Sequence, residues 1–135
     1  MLPLLLLWVS FAHATPVSFV YQGQIIKTDG TPLSGNPTTF IVQILSPGLE
    51  SCVLYQEKHV LNMSGSEGVF SLAVGTGSRI GSGYEDSSVL MDVFKNSANF
   101  TGLTNCAGGA TAYSPVLSDR RRLRLIYNDG SGPVT

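Results

Sequence analysis

The side chains of this 135-residue chain that could do chemistry are few and scattered. Beyond residue 14 there is a single histidine, His59. Carboxylates stand at Asp29, Glu50, Glu57, Glu67, Glu85, Asp86, Asp92, Asp119 and Asp129. General acid–base work needs such groups within hydrogen-bond reach of one another. Only Glu57 and His59 are placed to meet through local sequence, two apart on one face of an extended segment. The expectation for them is a surface pair. No Gly-x-Ser-x-Gly elbow and no His-Glu-x-x-His pair accompanies them. The sequence therefore points away from an enzyme, and it assigns no residue to catalysis, a cofactor or a metal.

Four other features suggest chemistry. Cys52 and Cys106 are the only cysteines. In an exported chain they are expected to form one disulfide, and closing a loop of that length contributes roughly 4 kcal/mol in the chain-entropy account. Two cysteines and two histidines do not make a zinc site. The run Gly75–Gly83 (GTGSRIGSG) is rich in glycine. It lacks the Gly-Lys-Ser/Thr ending of a phosphate loop, so it reads as a flexible connection. Asp119–Tyr127 (DRRRLRLIY) gathers arginines that read as the solvated face of an edge strand, where positive charge blocks unwanted pairing. Asn62-Met63-Ser64 and Asn99-Phe100-Thr101 match the N-glycosylation pattern, which has meaning only in a eukaryotic secretory pathway.

The elements that would position these residues are strands. Val17–Lys27, Thr38–Leu45, Cys52–Leu61, Val69–Val74 and Asp119–Tyr127 are apolar, β-branched-rich segments, each bounded by Gly, Pro, Asn, Asp or Ser. Phe40, Val42 and Ile44 alternate with Thr39, Ile41 and Gln43, and apolar residues on both sides mark a central strand. One face of Cys52–Leu61 reads as wetter than the other. Gly23 is expected to mark a bulge or a close backbone crossing. Asp29-Gly30 with Pro32 specifies a turn. Val89, Leu90, Val93 and Phe94 recur at helical spacing and predict one short helix near 86–95, capped by Asp86, Ser87 or Ser88. Lys95–Ala112 is expected to be a long loop pinned by Cys106. The prediction is an all-β, antiparallel β-sandwich of Greek-key type with that one helix.

Formal net charge is -1, and charged residues make up 13% of the chain, about half the usual share. No global field recruits nucleic acid. The surface must then be covered by Ser, Thr, Gly and Asn, or lie against partners. Residues 1–14 (MLPLLLLWVSFAHA) read as a signal peptide ending in Ala12-His13-Ala14. That leaves 15–135 as a single β-rich domain, secreted or at the cell surface, with the periplasm as a further destination. No later segment is long and apolar enough for a transmembrane helix. The break at Asn128–Pro133, followed by Val134-Thr135, reads as the start of a further segment.

Several phrases occur as a set: FVYQGQIIKTDGTPLSG, VQILSPGLESCVLYQEKHVLNM, GVFSLAVGTGSR, an AGG loop after Cys106, and RRLRLIYNDGSG. Together they resemble the N-terminal module of secreted fibre proteins of Bdellovibrio-type predatory bacteria, labelled cell-wall-anchor or mosaic adhesive trimer proteins. The resemblance spans Val17–Gly132. It implies a homotrimeric adhesion fibre with this domain at its base, and a downstream tip that recognises the target or prey cell. The opening strand–Asp-Gly–Pro–strand and the later Gly-Val-Phe-Ser-Leu are also similar to small prealbumin-like sandwiches used as stalk modules. The alternative function is a monomeric sandwich that binds carbohydrate or peptide, with Tyr21, Tyr55, Tyr84 or Tyr113 stacking on sugar rings.

Overall fold

The computed structural model describes residues 17–135. The expected signal peptide, 1–14, lies outside the described residues. The described residues fold as antiparallel sheets with one short α-helix, a sandwich-like all-β arrangement. Strand β1 is Phe19–Gln24, β2 Thr38–Leu45, β3 Val53–Leu61 and β4 Val69–Val74. Helix α1 is Tyr84–Ser87. After it come β5 (Phe100–Thr101), β6 (Ala112–Tyr113), β7 (Arg122–Asn128) and β8 (Pro133–Val134).

The larger sheet has the order β3-β2-β7-β8, and β2 is central as its two-sided apolarity predicts. It pairs β3 from Thr38↔Leu61 and β7 from Thr39↔Asn128. The smaller sheet is β1 with β4, and β5 with β6 makes a third, two-residue pair. Alternation places Phe40, Val42 and Ile44 on one face of β2 and Phe70, Leu72 and Val74 on one face of β4, all buried. These faces meet. The Phe40 and Phe70 rings stack with centroids 5.3 Å apart, and Tyr127 of β7 closes on Phe40 at 6.5 Å. Burying a ring of this size contributes about 2 kcal/mol.

Gly23 produces no bulge. It lies opposite Phe70 in an unbroken register, and a Cβ there would sit 3.2 Å from the Phe70 ring. The close approach is by a ring rather than by backbone. The Asp29-Gly30 turn forms as its chemistry dictates: Gly30 has φ 83°, and Asp29 Oδ1 accepts the Thr31 N–H at 2.9 Å.

The helical region differs from its expected form. The helix is a single turn, Tyr84–Ser87, and Asp92–Phe94 is a separate 3-10 turn. Gly83 is the N-cap, and Asp86 reaches back from inside the helix to accept the Gly83 N–H at 2.9 Å. Ser88 leaves the helix in an extended conformation and donates through Oγ to the Leu54 carbonyl at 2.7 Å. Serine hydroxyls offer the backbone such alternatives to helix. Leu90 and Val93 enter the core, whereas Val89 and Phe94 stay exposed. Lys95–Ala112 is also more ordered than a loop, because it contains β5 and the first residue of β6.

Candidate functional site

Of the side chains that the sequence offers for chemistry, Tyr55, Glu57 and His59 converge on the inner face of β3, and the remaining carboxylates lie elsewhere. Register places His59 opposite Phe40, Glu57 opposite Val42 and Tyr55 opposite Ile44. The face of β3 carrying its Glu–His pair therefore points into the sandwich. Glu57 is completely buried. The surface pair expected of Glu57 and His59 is corrected: they meet at 2.7 Å inside the fold.

The Glu57 carboxylate is fully satisfied. Oε1 accepts from His59 Nε2 and from the Gly75 N–H at 2.9 Å. Oε2 accepts from the Tyr55 hydroxyl at 2.6 Å and from the Gly77 N–H at 3.0 Å. Two donors on each oxygen are what an ionised carboxylate needs when it leaves water. The glycine-rich run supplies two of the four. Its role as a flexible connection is thus also corrected. Ser78 exchanges two backbone hydrogen bonds with Lys58, both 2.8 Å, and pins the run to β3. A Cβ on Gly77 would lie 2.9 Å from the Glu57 carboxyl carbon and 2.7 Å from His59 Nε2. Only glycine lets the backbone approach this closely.

Burial pushes the Glu57 carboxyl up, but the hydrogen bonds from Tyr55, His59 and Gly75 outweigh it and hold the group below its ordinary value of 4.5. Burial, followed by the bond to Glu57, pushes Tyr55 up from 10.0 to about 12. The consequences for stability have opposite signs. The Glu57 contribution is present above the ordinary carboxylate range and is lost as pH falls through the depressed value. The Tyr55 contribution is present below pH 10 and is lost as pH rises toward 12. Thermal melts followed by circular dichroism across pH should therefore show a plateau with a fall at each end. A Tm that starts to drop well below pH 10 would contradict the Tyr55 bond.

A second network runs across the outer face of the larger sheet. Arg124 Nε donates to Gln43 Oε1 at 2.7 Å, Gln43 Nε2 to Gln56 Oε1 at 2.8 Å, and Gln56 Nε2 to Asp86 Oδ1 at 2.7 Å. Arg79 then binds the carbonyls of Glu85, Asp86 and Ser88, with its guanidinium 4.0 Å from the centre of the Tyr55 ring. Arg79, Gln43 and Gln56 were not singled out in the sequence. The signal was present, since alternation puts Gln43, Gln56 and Arg124 on one face, but their pairing follows only from the strand register. Between these networks lies an open cavity of about 380 Å³ lined by Tyr55, Gly75, Arg79, Asp86, Ser88 and Leu90.

The arginine-rich strand is less free than a solvated edge. Arg121 donates to Tyr113 Oη at 3.0 Å, Asn96 Oδ1 at 2.8 Å and the Val93 carbonyl. Arg122 donates to the Ser46 and Gly48 carbonyls at 3.2 and 3.0 Å. Over most of its length β7 is nevertheless an edge, since β8 pairs only with Tyr127 and Asn128. Tyr113 donates to Asp119 Oδ2 at 2.6 Å, and burial together with that bond pushes Tyr113 up to about 12.

Cys52 and Cys106 are joined in a disulfide. Backbone bonds flank it on both sides, Val53 N–H to the Asn105 carbonyl at 2.8 Å and Ala107 N–H to the Glu50 carbonyl at 2.6 Å. Among the described residues no three His, Cys, Asp or Glu side chains gather to hold a metal ion. No helix among them is long and apolar enough to cross a membrane. Asn62 and Asn99 of the two glycosylation patterns are exposed. The tyrosines offered for sugar stacking are packed: Tyr55 and Tyr113 are buried, Tyr21 lies on Phe70 at 5.8 Å, and Tyr84 on Phe100 at 6.1 Å. Comparison with protein-family models, with curated proteins and with solved structures finds no match to this chain.

Proposed function

We propose that this domain is a structural and assembly module of an exported, trimeric surface adhesion fibre. The observation that carries the reading is where the reactive groups are. Glu57, His59 and Tyr55 are bound to one another inside the fold, and Arg79, at the surface, is tied to three backbone carbonyls, so these groups serve to hold the domain's shape. The disulfide is compatible with an oxidising destination such as the cell exterior or the periplasm. The low charge suits a surface partly covered in an assembly. The word-like resemblance to fibre base modules supplies the rest: recognition of a target cell belongs to another part of the fibre, and this domain binds copies of itself.

Sedimentation equilibrium on the purified protein tests the reading. The expected mass is three chains. A single-chain mass at every concentration, together with binding on a glycan array, would replace it with the monomeric sugar-binding alternative.

A further inference from the structure

The β1–β4 sheet differs from the rest of the molecule in three respects. First, its strands pair only with each other, so among the described residues the outer edges of β1 and β4 carry no neighbouring strand. Second, it holds no charge: no Asp, Glu, Lys or Arg occurs from Val17 to Ile26 or from Val69 to Ser78. Its register runs unbroken from Phe19↔Val74 to Gln24↔Val69. Third, the face turned away from the core is exposed and carries Val20, Gln22 and Gln24 beside Val69, Ser71 and Ala73. Val20 is 66% exposed and Val69 56%.

An open edge without charge, proline or bulge is a template for another strand. The larger sheet of the same chain is guarded. Arg122 and Arg124 lie along β7, β8 covers its end, and the Lys58–Ser78 bridge lies against β3. The β5–β6 pair is also open but is only two residues long, so among the described residues β1–β4 is the one unguarded sheet with a full-length edge, and a lone two-stranded sheet gains the most from added strands.

We propose that copies of this chain join through this sheet, the outer edge of β1 in one copy pairing antiparallel with the outer edge of β4 in the next. The inference rests on the assembly reading above and names the surface that performs it. The occupant is a second copy because both halves of the contact are present in one chain. The two strands are each six residues long and run in opposite directions. Rotation about an axis along the strands keeps every β1–β4 contact antiparallel. Such a head-to-tail contact closes into a ring that leaves no edge open. A strand from an unrelated protein would cover one edge and leave the other. In a three-copy ring, six strands surround a narrow interior lined by Val20, Gln22, Gln24, Val69, Ser71 and Ala73. A closed interior needs residues that are uncharged and mostly compact, which explains why an exposed face carries none of the charge seen elsewhere.

Val20→Lys and Ala73→Lys test this, with Leu49→Lys in the β2–β3 loop as control. All three sites are exposed, so circular dichroism should report an unchanged fold. Sedimentation should show an oligomer for the unaltered protein and for Leu49→Lys. For either β1–β4 variant, association should weaken by about a hundredfold or more, because the added ammonium groups are brought together. An oligomer of another size that Val20→Lys dissociates supports the edge pairing and overturns the count of three. An oligomer untouched by both lysines overturns the edge pairing and leaves the assembly reading standing. A monomer at all concentrations overturns both.

Discussion

Replacing Glu57 by glutamine is expected to lower unfolding free energy by about 3 kcal/mol. The amide keeps one oxygen, which can still accept from His59 and the Gly75 N–H. Its nitrogen falls where Oε2 was. There the Tyr55 hydroxyl can rotate to accept, but the Gly77 N–H meets another donor and loses its only partner. Leaving a buried donor unsatisfied costs more than an average hydrogen bond contributes. Glu57→Ala strands all four donors and should cost more still. Urea unfolding measures both, with an unchanged slope expected if only stability is altered. Glu50→Gln, at an exposed carboxylate, is the reference and should stay within about 0.5 kcal/mol of the parent. A Glu57→Gln protein as stable as that reference would mean the carboxylate is reached by water, and the account of the β3 inner face would be wrong.

Removing the disulfide is the other large effect. The double change Cys52→Ala/Cys106→Ala should cost roughly 4 kcal/mol, because it frees a loop spanning 54 positions in the unfolded chain. Against a typical total of about 5–15 kcal/mol, that leaves a marginal fold. The backbone bonds beside the bridge, Glu50 with Ala107 and Val53 with Asn105, should hold the two segments together until global unfolding. The variant is therefore expected to retain its β signature at low temperature and to melt in one transition. Alkylation before and after reduction, read by intact mass, checks the bridge itself. Adducts without reduction would remove it.

The strands were legible because their signals are local. Thr38–Leu45 and Val69–Val74 carry alternation and turn residues that fix both ends, and both strands fall where the sequence places them. The disulfide was legible by counting. The interior pair was not. Glutamate and histidine in a strand read as wet, and their burial depends on donors from Gly75 and Gly77, 18 and 20 positions away. Nothing in the local pattern announces that a glycine run will cradle a carboxylate of its own chain. The single-turn helix was displaced for a similar reason: Ser88 is drawn to the Leu54 carbonyl, a contact 34 positions away that helical periodicity does not contain. The β7 arginines were half legible. The strand that carries them is where the sequence places it, but Arg122 finds carbonyls in the turn after β2 and Arg124 finds the Gln43 side chain, partners that only the fold provides.

The placement of the Cys52–Cys106 bridge also has a mechanical meaning. In the surface fibre proposed above, this domain would be pulled from its ends. The bridge lies between the terminal strands, enclosing β3, β4 and everything up to Cys106, while β1, β2 and β7 stay outside it. Tension can peel those outer strands, yet the 54 positions inside the bridge stay out of the extensible length. At about 3.4 Å per extended residue, roughly 180 Å of contour is locked away for as long as the bond is oxidised. In the proposed fibre the bridge would act as a stop on extension, and the compartment's redox state would set how far this domain stretches under load.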